Sequence, residues 1–294
     1  MKIACLPAFN VEGTIESVIN ESKKYVDKVI VCNDGSTDRT EEIARQCGAI
    51  VVNHKTNQGY GSAIKTLFEE AKKNNADVMV TLDSDGQHNP SEISSLLEPI
   101  LSGSADVVIG SRFLNNKNTE MPAYRKRGIK LISSITKVGT KLNISDAQSG
   151  FRAYSKKAIE NIRISDVGMS ASTEILMKIS DLGLRVKEVP IIVKYDNLDS
   201  STQKPLIHGT SVLLSTLRYV TVNRPLTFYG LPGIAFLIIG TLFGGKFLQF
   251  YATQKIVLTD VLLVSIGTLV IGAVMVATSI ILFAMSTLLN KVKQ

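Results

Sequence analysis

Two long uncharged stretches near the carboxyl end of the chain restrict its fold more than any other feature. Residues 226–245 and 261–289 contain no aspartate, glutamate, lysine or arginine. Each exceeds the roughly 18 apolar residues that mark a candidate membrane helix, and ~20 helical residues cross a hydrocarbon layer of ~30 Å. We therefore predict a hairpin of two transmembrane helices over residues 226–290. A pair of buried helices in a soluble core is the alternative.

Basic residues around this hairpin predict its orientation. Arg218 and Arg224 precede the first stretch, and Lys291 and Lys293 follow the second. Lysine and arginine concentrate on the cytoplasmic side of membrane proteins. We expect an integral membrane protein whose amino-terminal part lies on the cytoplasmic face, although two lysines in the loop of the hairpin weaken the asymmetry.

The first two hundred residues alternate short apolar runs with helical stretches. Strand-like runs rich in Val and Ile cover Lys2–Leu6, Lys28–Cys32, Ala49–Asn53, Asp77–Leu82 and Asp106–Gly110. Helical stretches begin near Glu12, Asp38, Tyr60 and Pro90. Such alternation is typical of crossover units around a mainly parallel sheet that is buried on both faces. We predict an α/β domain over residues 1–200 and an interfacial juxtamembrane segment over residues 201–225.

Polar fragments follow several of these strands. The sequences PAFN, NDGSTD, DSDGQ and GSRF each begin where a strand ends. Ligands of open parallel sheets bind beyond the carboxyl ends of the strands, so these fragments are expected to converge on one site. We also expect Ser36 or Thr37 to cap the second helix, and Asn89 to cap the helix that starts at Pro90.

The amino-acid composition restricts the classes of ligand that such a site could bind. A net charge of +7 and an isoelectric point near 9.2 favour an anionic partner, such as a nucleotide or a phospholipid surface. The chain has no tryptophan and only 6% aromatic residues, which argues against nucleic-acid binding by base stacking. Three cysteines without CxxC spacing, Cys5, Cys32 and Cys47, predict reduced thiols and no zinc site.

Two aspartates one residue apart, Asp83 and Asp85, end the fourth strand-like run. Their mutual repulsion is costly unless a cation or a donor lies between them. A calcium loop of the EF-hand type needs glycine at position six and glutamate at position twelve, where this chain has His88 and Ser94. A phosphatase nucleophile and a helix-capping turn are alternatives. The favoured interpretation is a site for Mg²⁺ or Mn²⁺ that bridges a diphosphate, with Gln87 as a neutral ligand.

Dinucleotide oxidoreductases are the main rival for an alternating fold. Their GxGxxG motif is incomplete here, because GYGSAI supplies Gly59 and Gly61 but has Ile64 in the third position. A P-loop lysine motif is also missing. These absences favour metal-dependent nucleotide-sugar chemistry.

Residues 126–142 predict an amphipathic helix. Four lysines share one face, Lys126, Lys130, Lys137 and Lys141, and a roughly opposite face carries Leu131, Ile135, Val138 and Leu142. The apolar face could pack on the core of the domain, or the helix could lie on an anionic membrane surface.

Six motifs in order resemble inverting family 2 glycosyltransferases with a GT-A fold. They are PAFNVEGTI, CNDGSTDRT, NQGYGSA, DSDGQH, GSRF and SGFRAY, and the resemblance covers about residues 2–194. The polyprenyl-phosphate glycosyltransferases, including the dolichol-phosphate mannose synthase group, are the most similar. That group implies transfer of a hexose from a nucleoside-diphosphate sugar to dolichyl or polyprenyl phosphate with inversion. A homo-oligomer is compatible with this group.

The resemblance also implies roles for individual residues. Pro7, Ala8, Phe9 and Glu12 would border the nucleotide, with Asp34 at its base or ribose and Asp83 also in contact with it. Asp83, Asp85 and Gln87 would hold the metal. Arg112, with Arg125 or Arg127, would face the diphosphate or the acceptor phosphate, and together with Asp85 would serve catalysis. Asp146, Ser149 and Gly150 would lie on the acceptor side.

Two departures from the family pattern bear on the identity of the nucleotide-sugar donor. Many relatives have glutamate directly after the asparagine of the first motif, whereas this chain has Val11 there and Glu12 one place later. The stretch KYDNLDSSTQKPLIHG replaces the GES segment of mannose synthases. We therefore favour a UDP-hexose donor, with GDP-mannose next.

Two other functions are compatible with these motifs. The alternatives are a catalytically inactive membrane scaffold and a metal-dependent phosphatase. A processive polysaccharide synthase requires a QxxRW-type motif, and the chain contains no tryptophan.

Overall fold

In the computed structural model, which describes residues 1–114, 121, 123–140, 142–165, 171–193, 214, 216–217 and 220–292, seven strands form one sheet. The strands are β1 Lys2–Ala8, β2 Lys28–Asn33, β3 Ile50–Asn53, β4 Val78–Thr81, β5 Val107–Ser111, β6 Arg152–Ser155 and β7 Val186–Pro190. Their order is β3-β2-β1-β4-β6-β5-β7. Only β6 runs antiparallel to its neighbours, so β1, β2, β4 and β5 end at the same edge of the sheet.

Helices connect and cover the strands. In chain order they are α1 Ile15–Ser22, α2 Thr40–Gln46, α3 Tyr60–Lys73, a 3₁₀ turn Pro90–Glu92, α4 Ile93–Leu101, α5 Ala123–Thr140, α6 Lys156–Asn161 and α7 Ala171–Asp181. Side chains along β1 alternate between two apolar layers. Ile3 and Cys5 pack in the layer that contains α3, α6 and α7, whereas Ala4 and Leu6 pack in the layer that contains α1, α2 and α4. This period of two explains why the strand is apolar throughout.

The five predicted strands are all present, with ends that differ by at most two residues. Asn89 caps the Pro90 turn as predicted, since its side chain accepts a hydrogen bond from the Ser91 N–H at 3.1 Å. The expected cap at Ser36 or Thr37 is wrong, because α2 starts at Thr40. Arg39 occupies the cap position without a side-chain cap bond, and the Oδ1 of the preceding Asp38 accepts from the Thr40 N–H at 3.0 Å.

The helix predicted over residues 126–142 is α5, but the expected face is wrong in part. Ile129 and Ile132 are buried, whereas Leu131 and Val138 are more than half exposed. Thr136, four residues after Ile132, completes the buried stripe, so helical spacing from Ile129 determines the packed face.

Cys5 and Cys32 are buried, and Cys47 is half-buried; all three are free thiols, as predicted. Burial raises the pKa of the Cys32 thiol to about 12, so it stays protonated and unreactive.

The chain divides into two compact units, Met1–Thr216 and Leu217–Gln294. Most of the segment predicted as juxtamembrane, residues 201–225, and the stretch KYDNLDSSTQKPLIHG lie outside the described residues. The second unit contains a π-helical turn Leu226–Gly230 and two helices, α8 Leu231–Gln254 and α9 Thr259–Val292. By length and composition, both Leu226–Gln254 and Thr259–Leu288 could cross a membrane, which agrees with the predicted pair of apolar helices.

Close packing joins α8 to α9. Gly240 allows this approach, because a Cβ added there would stand 2.7 Å from Leu269 Cγ and from Thr268 Oγ1. The Ser265 hydroxyl also donates to the Gly240 carbonyl at 2.8 Å. Small residues and hydroxyl bonds of this kind are typical of helix pairs in membranes.

Candidate active site

The paired aspartates Asp83 and Asp85 lie just beyond the carboxyl end of β4, in a loop fixed by hydrogen bonds to β1. The Ser84 hydroxyl, between the two aspartates, donates to the Pro7 carbonyl at 2.8 Å. The Thr14 hydroxyl donates to the Ser84 carbonyl at 2.6 Å. The aspartate pair is thus held beside the loop that follows the first strand, as the parallel topology predicts.

The Asp83 carboxylate lies against the backbone of Gly150. A Cβ added to Gly150 would stand 3.0 and 3.1 Å from the two Asp83 oxygens and 3.1 Å from the Tyr60 hydroxyl. A side chain at this position would displace one of them, so glycine is required for this approach. Desolvation raises the pKa of Asp83, and the nearby guanidinium groups of Arg112 and Arg152 partly oppose that rise.

His88 organises the aspartate loop. The Asp83 N–H donates to His88 Nδ1 at 3.3 Å, which assigns the ring proton to Nε2. The ring is buried and packs on Phe151 with centroids 5.1 Å apart. Burial lowers the pKa of His88 to about 4, while the Asp85 charge opposes that shift. The imidazole is therefore neutral at pH 7, and it holds the loop as an acceptor.

Asp85, Gln87 and Asp83 offer only oxygen ligands of the kind that magnesium and manganese prefer. The backbone N–H of Gln87 donates to Asp85 Oδ1 at 3.0 Å, and this bond closes the turn between the two residues. Among the described residues, no group of three or more His, Cys, Asp and Glu side chains forms a metal cluster. Two carboxylates and a neutral amide are a set that suits an ion which also takes phosphate oxygens and water.

Two loops beside the aspartates are tied to each other. Glu12 is exposed; its backbone N–H donates to Asp38 Oδ2 at 3.1 Å, and its carboxylate accepts from the Arg39 N–H at 3.0 Å. This reciprocal pair joins the loop after β1 to the loop after β2. Of the other residues predicted to border the nucleotide, Pro7 and Ala8 end β1, and Phe9 follows them.

Asp34, predicted to contact the nucleotide base or ribose, is buried and binds protein groups. Its carboxylate accepts from the N–H groups of Gln58 and Gly59, at 2.9 and 2.8 Å, and lies 2.6 Å from His54 Nδ1. The adjacent Gly35 has φ +74°, and a Cβ there would stand 2.6 Å from the Thr56 backbone. Asp34 therefore shapes the edge of the site through the 56–59 loop, and a direct contact with the nucleotide stays a prediction.

Arg112 follows β5 and forms the principal ion pair of the site. Its Nε and one terminal nitrogen donate to the two oxygens of Asp146 at 2.6 and 2.7 Å, and its backbone N–H donates to the same carboxylate at 3.2 Å. Asp146 is fully buried, and the Arg112 side chain is 10% exposed. Asp146 is thus a partner of Arg112, and this geometry fixes the plane of the guanidinium.

The other two arginines predicted for the site are Arg125 and Arg127. The side chain of Arg125 lies outside the described part of the chain. Arg127 lies on α5 and is exposed. Ser149 and Gly150, predicted on the acceptor side, are in the loop that ends beside Asp83, and Ser149 is buried.

The sequence profile named Glycosyl transferase family 2 matches residues 4–163, which is more than half of the chain. The chain belongs to this family. It is a glycosyltransferase, and its sheet and helices have the GT-A fold that the motifs predicted.

Two curated relatives of this family 2 glycosyltransferase act on lipid phosphates. It is 32% identical to the UDP-N-acetylglucosamine–dolichyl-phosphate N-acetylglucosaminyltransferase of Methanococcus voltae, over 71% of this chain and 89% of that protein. It is 28% identical to the undecaprenyl-phosphate mannosyltransferase of Micrococcus luteus, over 72% of this chain and 90% of that protein.

A solved structure agrees with the fold of the glycosyltransferase. The glucosyl-3-phosphoglycerate synthase of Mycobacterium tuberculosis, crystallised with Mn²⁺ and UDP-glucose, superposes with a TM-score of 0.59 at 23% identity. The match covers 75% of this chain and 78% of that chain.

Arg152 of this glycosyltransferase is a residue of the site that sequence reasoning missed. It is 2% exposed, and its guanidinium donates to the carbonyls of Ser149 and Ala147 at 2.8 Å each. It therefore holds the loop that the family resemblance predicts on the acceptor side, and it places a positive charge near Asp83. The motif SGFRAY contains this residue, but a lone arginine in a motif does not reveal that it is buried.

Two further polar groups lie in the same loop. Gln148 Nε2 and Ser149 Oγ are buried and have no hydrogen-bond partner among the described residues. Because unsatisfied buried polar atoms cost about 1–3 kcal/mol, these atoms are candidates for contact with a bound substrate.

Proposed function

We propose that this glycosyltransferase moves a hexose from a nucleoside-diphosphate sugar to dolichyl or polyprenyl phosphate, with inversion at the anomeric carbon. The observation that carries the proposal is the close approach of Asp83 to Gly150, because it brings one of the paired carboxylates next to the loop predicted on the acceptor side. The lipid-phosphate acceptors named for the two curated relatives support the same substrate class.

Asp83, Asp85 and Gln87 would hold Mg²⁺ or Mn²⁺, and the bound ion would neutralise the charge that develops on the departing nucleoside diphosphate. The spacing of Asp83 and Asp85, one residue apart, supports this assignment, since a bound cation would relieve the repulsion between the two carboxylates. The Mn²⁺ in the structural neighbour points to the same chemistry.

The acceptor phosphate would act as its own nucleophile. A phosphate monoester has a second pKa near ~6, so it is largely dianionic at neutral pH and needs no general base. Asp146 is bound to Arg112 through both oxygens, which argues against its acting as a base. The work of the chain is then to position the two substrates and to balance their charge, with Arg112 facing a phosphate group.

A UDP-hexose is the favoured donor, and GDP-mannose is the next candidate. The Methanococcus relative is named for a UDP-sugar, and the structural neighbour was crystallised with UDP-glucose. The Micrococcus relative is named for mannose transfer, which keeps GDP-mannose in consideration.

The two apolar helices suit a lipid-linked acceptor. We propose that α8 and α9 anchor the enzyme in the bilayer, with the catalytic domain on the cytoplasmic face. Nucleotide sugar would then reach the site from the cytosol, and the lipid phosphate would reach it from the membrane surface.

The test is a donor panel with the full chain in detergent. Radiolabelled UDP-glucose, UDP-N-acetylglucosamine and GDP-mannose are each incubated with dolichyl phosphate and Mn²⁺, and the lipid fraction is counted. The proposal predicts label in the lipid fraction that depends on dolichyl phosphate. Release of phosphate from the lipid without glycolipid would favour a phosphatase, and no product with any donor would favour an inactive scaffold.

A further inference from the structure

Glu188, on β7, binds the turn that leads to Asp146. Its side chain comes from the strand next to β5, opposite Ile109 in the parallel register. The Ser145 N–H donates to both carboxylate oxygens of Glu188 at 2.9 Å, and the Asp146 N–H donates to one of them at 3.0 Å. One carboxylate thus fixes two consecutive backbone amides, 42 and 43 residues away in sequence.

The positions of those two amides fix the backbone from which the Asp146 side chain extends. The Asp146 carboxylate in turn accepts both side-chain bonds of Arg112. Since Asp146 is fully buried, its carboxylate has little freedom once the backbone of the turn is fixed. Glu188 therefore acts on Arg112 through the backbone of Asp146.

A chain of hydroxyl groups links Glu188 to the other side of Arg112. The Ser145 hydroxyl donates to Glu188 at 3.0 Å and lies 2.7 Å from the Ser111 hydroxyl, which accepts from the Phe113 N–H at 3.2 Å. Because Ser145 gives its proton to the carboxylate, Ser111 must donate to Ser145. The residues before and after Arg112 are thus tied to the same carboxylate.

We propose that Glu188 is a positioning residue that orients the Arg112 guanidinium toward a phosphate group of the substrates. This inference rests on the proposed function, in which Arg112 faces a phosphate. Glu188 itself is not placed in contact with substrate. Two acceptor oxygens are needed, because an amide would present its own N–H donors to the N–H of Ser145.

The test is a double-mutant cycle with Glu188→Gln and Arg112→Lys in the full chain. Transfer to dolichyl phosphate is measured with the donor that the wild-type enzyme uses, and kcat and KM are determined separately for donor and acceptor. We expect Glu188→Gln to lower kcat/KM about tenfold, as for loss of a charge-assisted hydrogen bond. In the Arg112→Lys background the same substitution is expected to cause no further loss, because both act through one guanidinium.

Glu92→Gln is the matched control. Glu92 also accepts a backbone N–H with its carboxylate, from Ile192 at 2.9 Å just after β7, and has no described bond to Asp146 or Arg112. We expect this control to leave kcat and both KM values unchanged. A loss with Glu188→Gln that equals the loss with Glu92→Gln would overturn the inference.

The cycle separates failure of the inference from failure of the proposed function. Wild-type rates for Arg112→Lys would contradict the role of Arg112 in transfer. A loss for Arg112→Lys that simply adds to the loss for Glu188→Gln would reject only the role of Glu188.

Should Glu188→Gln fail to fold, Ser145→Ala takes its place in the cycle, since it removes the hydroxyl bonds to Ser111 and Glu188 without a change of charge. It is expected to cause a smaller loss that also vanishes in the Arg112→Lys background.

Discussion

Arg112 donates two side-chain hydrogen bonds, at 2.6 and 2.7 Å, to the fully buried carboxylate of Asp146. The pair joins the end of β5 to the loop that precedes β6. Because both charges are withdrawn from water, the pair tolerates the loss of one partner poorly. Asp146, which the family resemblance predicts on the acceptor side, thus also supports an arginine.

Replacement of Arg112 by methionine is therefore expected to destabilise the protein. It leaves Asp146 buried without its cation, which costs roughly 3 kcal/mol and lowers the thermal midpoint by roughly 6–12 °C in a domain of this size. Arg45→Met is the control, because Arg45 pairs with Glu41 at the surface, where the two side chains are 53% and 41% exposed, and exposed pairs contribute about 1 kcal/mol or less. Thermal unfolding in detergent measures both, and equal losses would contradict the account.

The contact between Gly150 and Asp83 predicts a loss of activity without a loss of fold. In Gly150→Ala the new methyl group would stand within 3.1 Å of both Asp83 oxygens and the Tyr60 hydroxyl, so the carboxylate must move. We expect kcat to fall at least tenfold. Gly128→Ala on α5 is the control, because a Cβ there meets nothing within 4 Å. The control is expected to keep full activity and to gain up to about 1 kcal/mol of stability from helix propensity; a fully active Gly150→Ala enzyme would show that the carboxylate position is unimportant.

The partly buried carboxyl of Glu92 is expected to make the stability of the protein depend on pH. Burial raises the pKa of this carboxyl above its ordinary value of 4.5, and the bond from the Ile192 N–H only partly opposes the rise. A carboxyl whose pKa is raised in the folded state is protonated in both states well below pH 4.5 and contributes nothing there. As the pH rises from the unfolded pKa to the folded pKa, the unfolded state ionises first, so the stability of the fold falls across this interval and then levels off. Glu92→Gln removes that ionisation. The thermal midpoint of the variant relative to wild type is expected to increase from pH 4 to pH 8, and a constant difference would refute the raised pKa.

The helix pair of the second unit predicts opposite effects of two similar substitutions. Gly240→Ala places a methyl group 2.7 Å from Leu269, which is overpacking that costs roughly 1–3 kcal/mol. Gly245→Ala, five residues along the same helix, meets nothing within 4 Å and is expected to be neutral or stabilising. Thermal midpoints in detergent compare them, and similar values would mean that α8 and α9 do not pack at Gly240.

Much of the sheet was predictable because short continuous apolar runs and the turns between them are local signals. β6 was missed since its residues, RAYS, include a buried arginine and no Val or Ile. An antiparallel strand between β4 and β5 also depends on contacts between distant parts of the chain.

The motifs brought the right segments to one edge of the sheet but did not reveal how the side chains pair. The motif that predicted a nucleotide contact for Asp34 did not reveal that its carboxylate accepts from the amides of Gln58 and Gly59. Glu188 is 42 residues from the amide it supports and belongs to none of the quoted motifs. Such pairings are decided by tertiary packing, which short motifs do not encode.

Asp85→Asn tests the proposed metal site without disturbing the fold. The amide keeps an oxygen in the place of Oδ1, so the bond from the Gln87 N–H at 3.0 Å can persist while the negative charge is lost. Asp77→Asn is the control, since Asp77 is exposed and pairs with the amino terminus. We expect both variants to unfold within a few degrees of wild type.

The measurement that tests the central claim most directly is transfer of labelled sugar to dolichyl phosphate by wild-type, Asp85→Asn and Asp77→Asn enzymes, each with Mn²⁺ and with EDTA. The account predicts transfer by the wild type and by Asp77→Asn that requires Mn²⁺, and a loss of at least about a hundredfold for Asp85→Asn at saturating Mn²⁺. Undiminished transfer by Asp85→Asn, or by the wild type in EDTA, would contradict it.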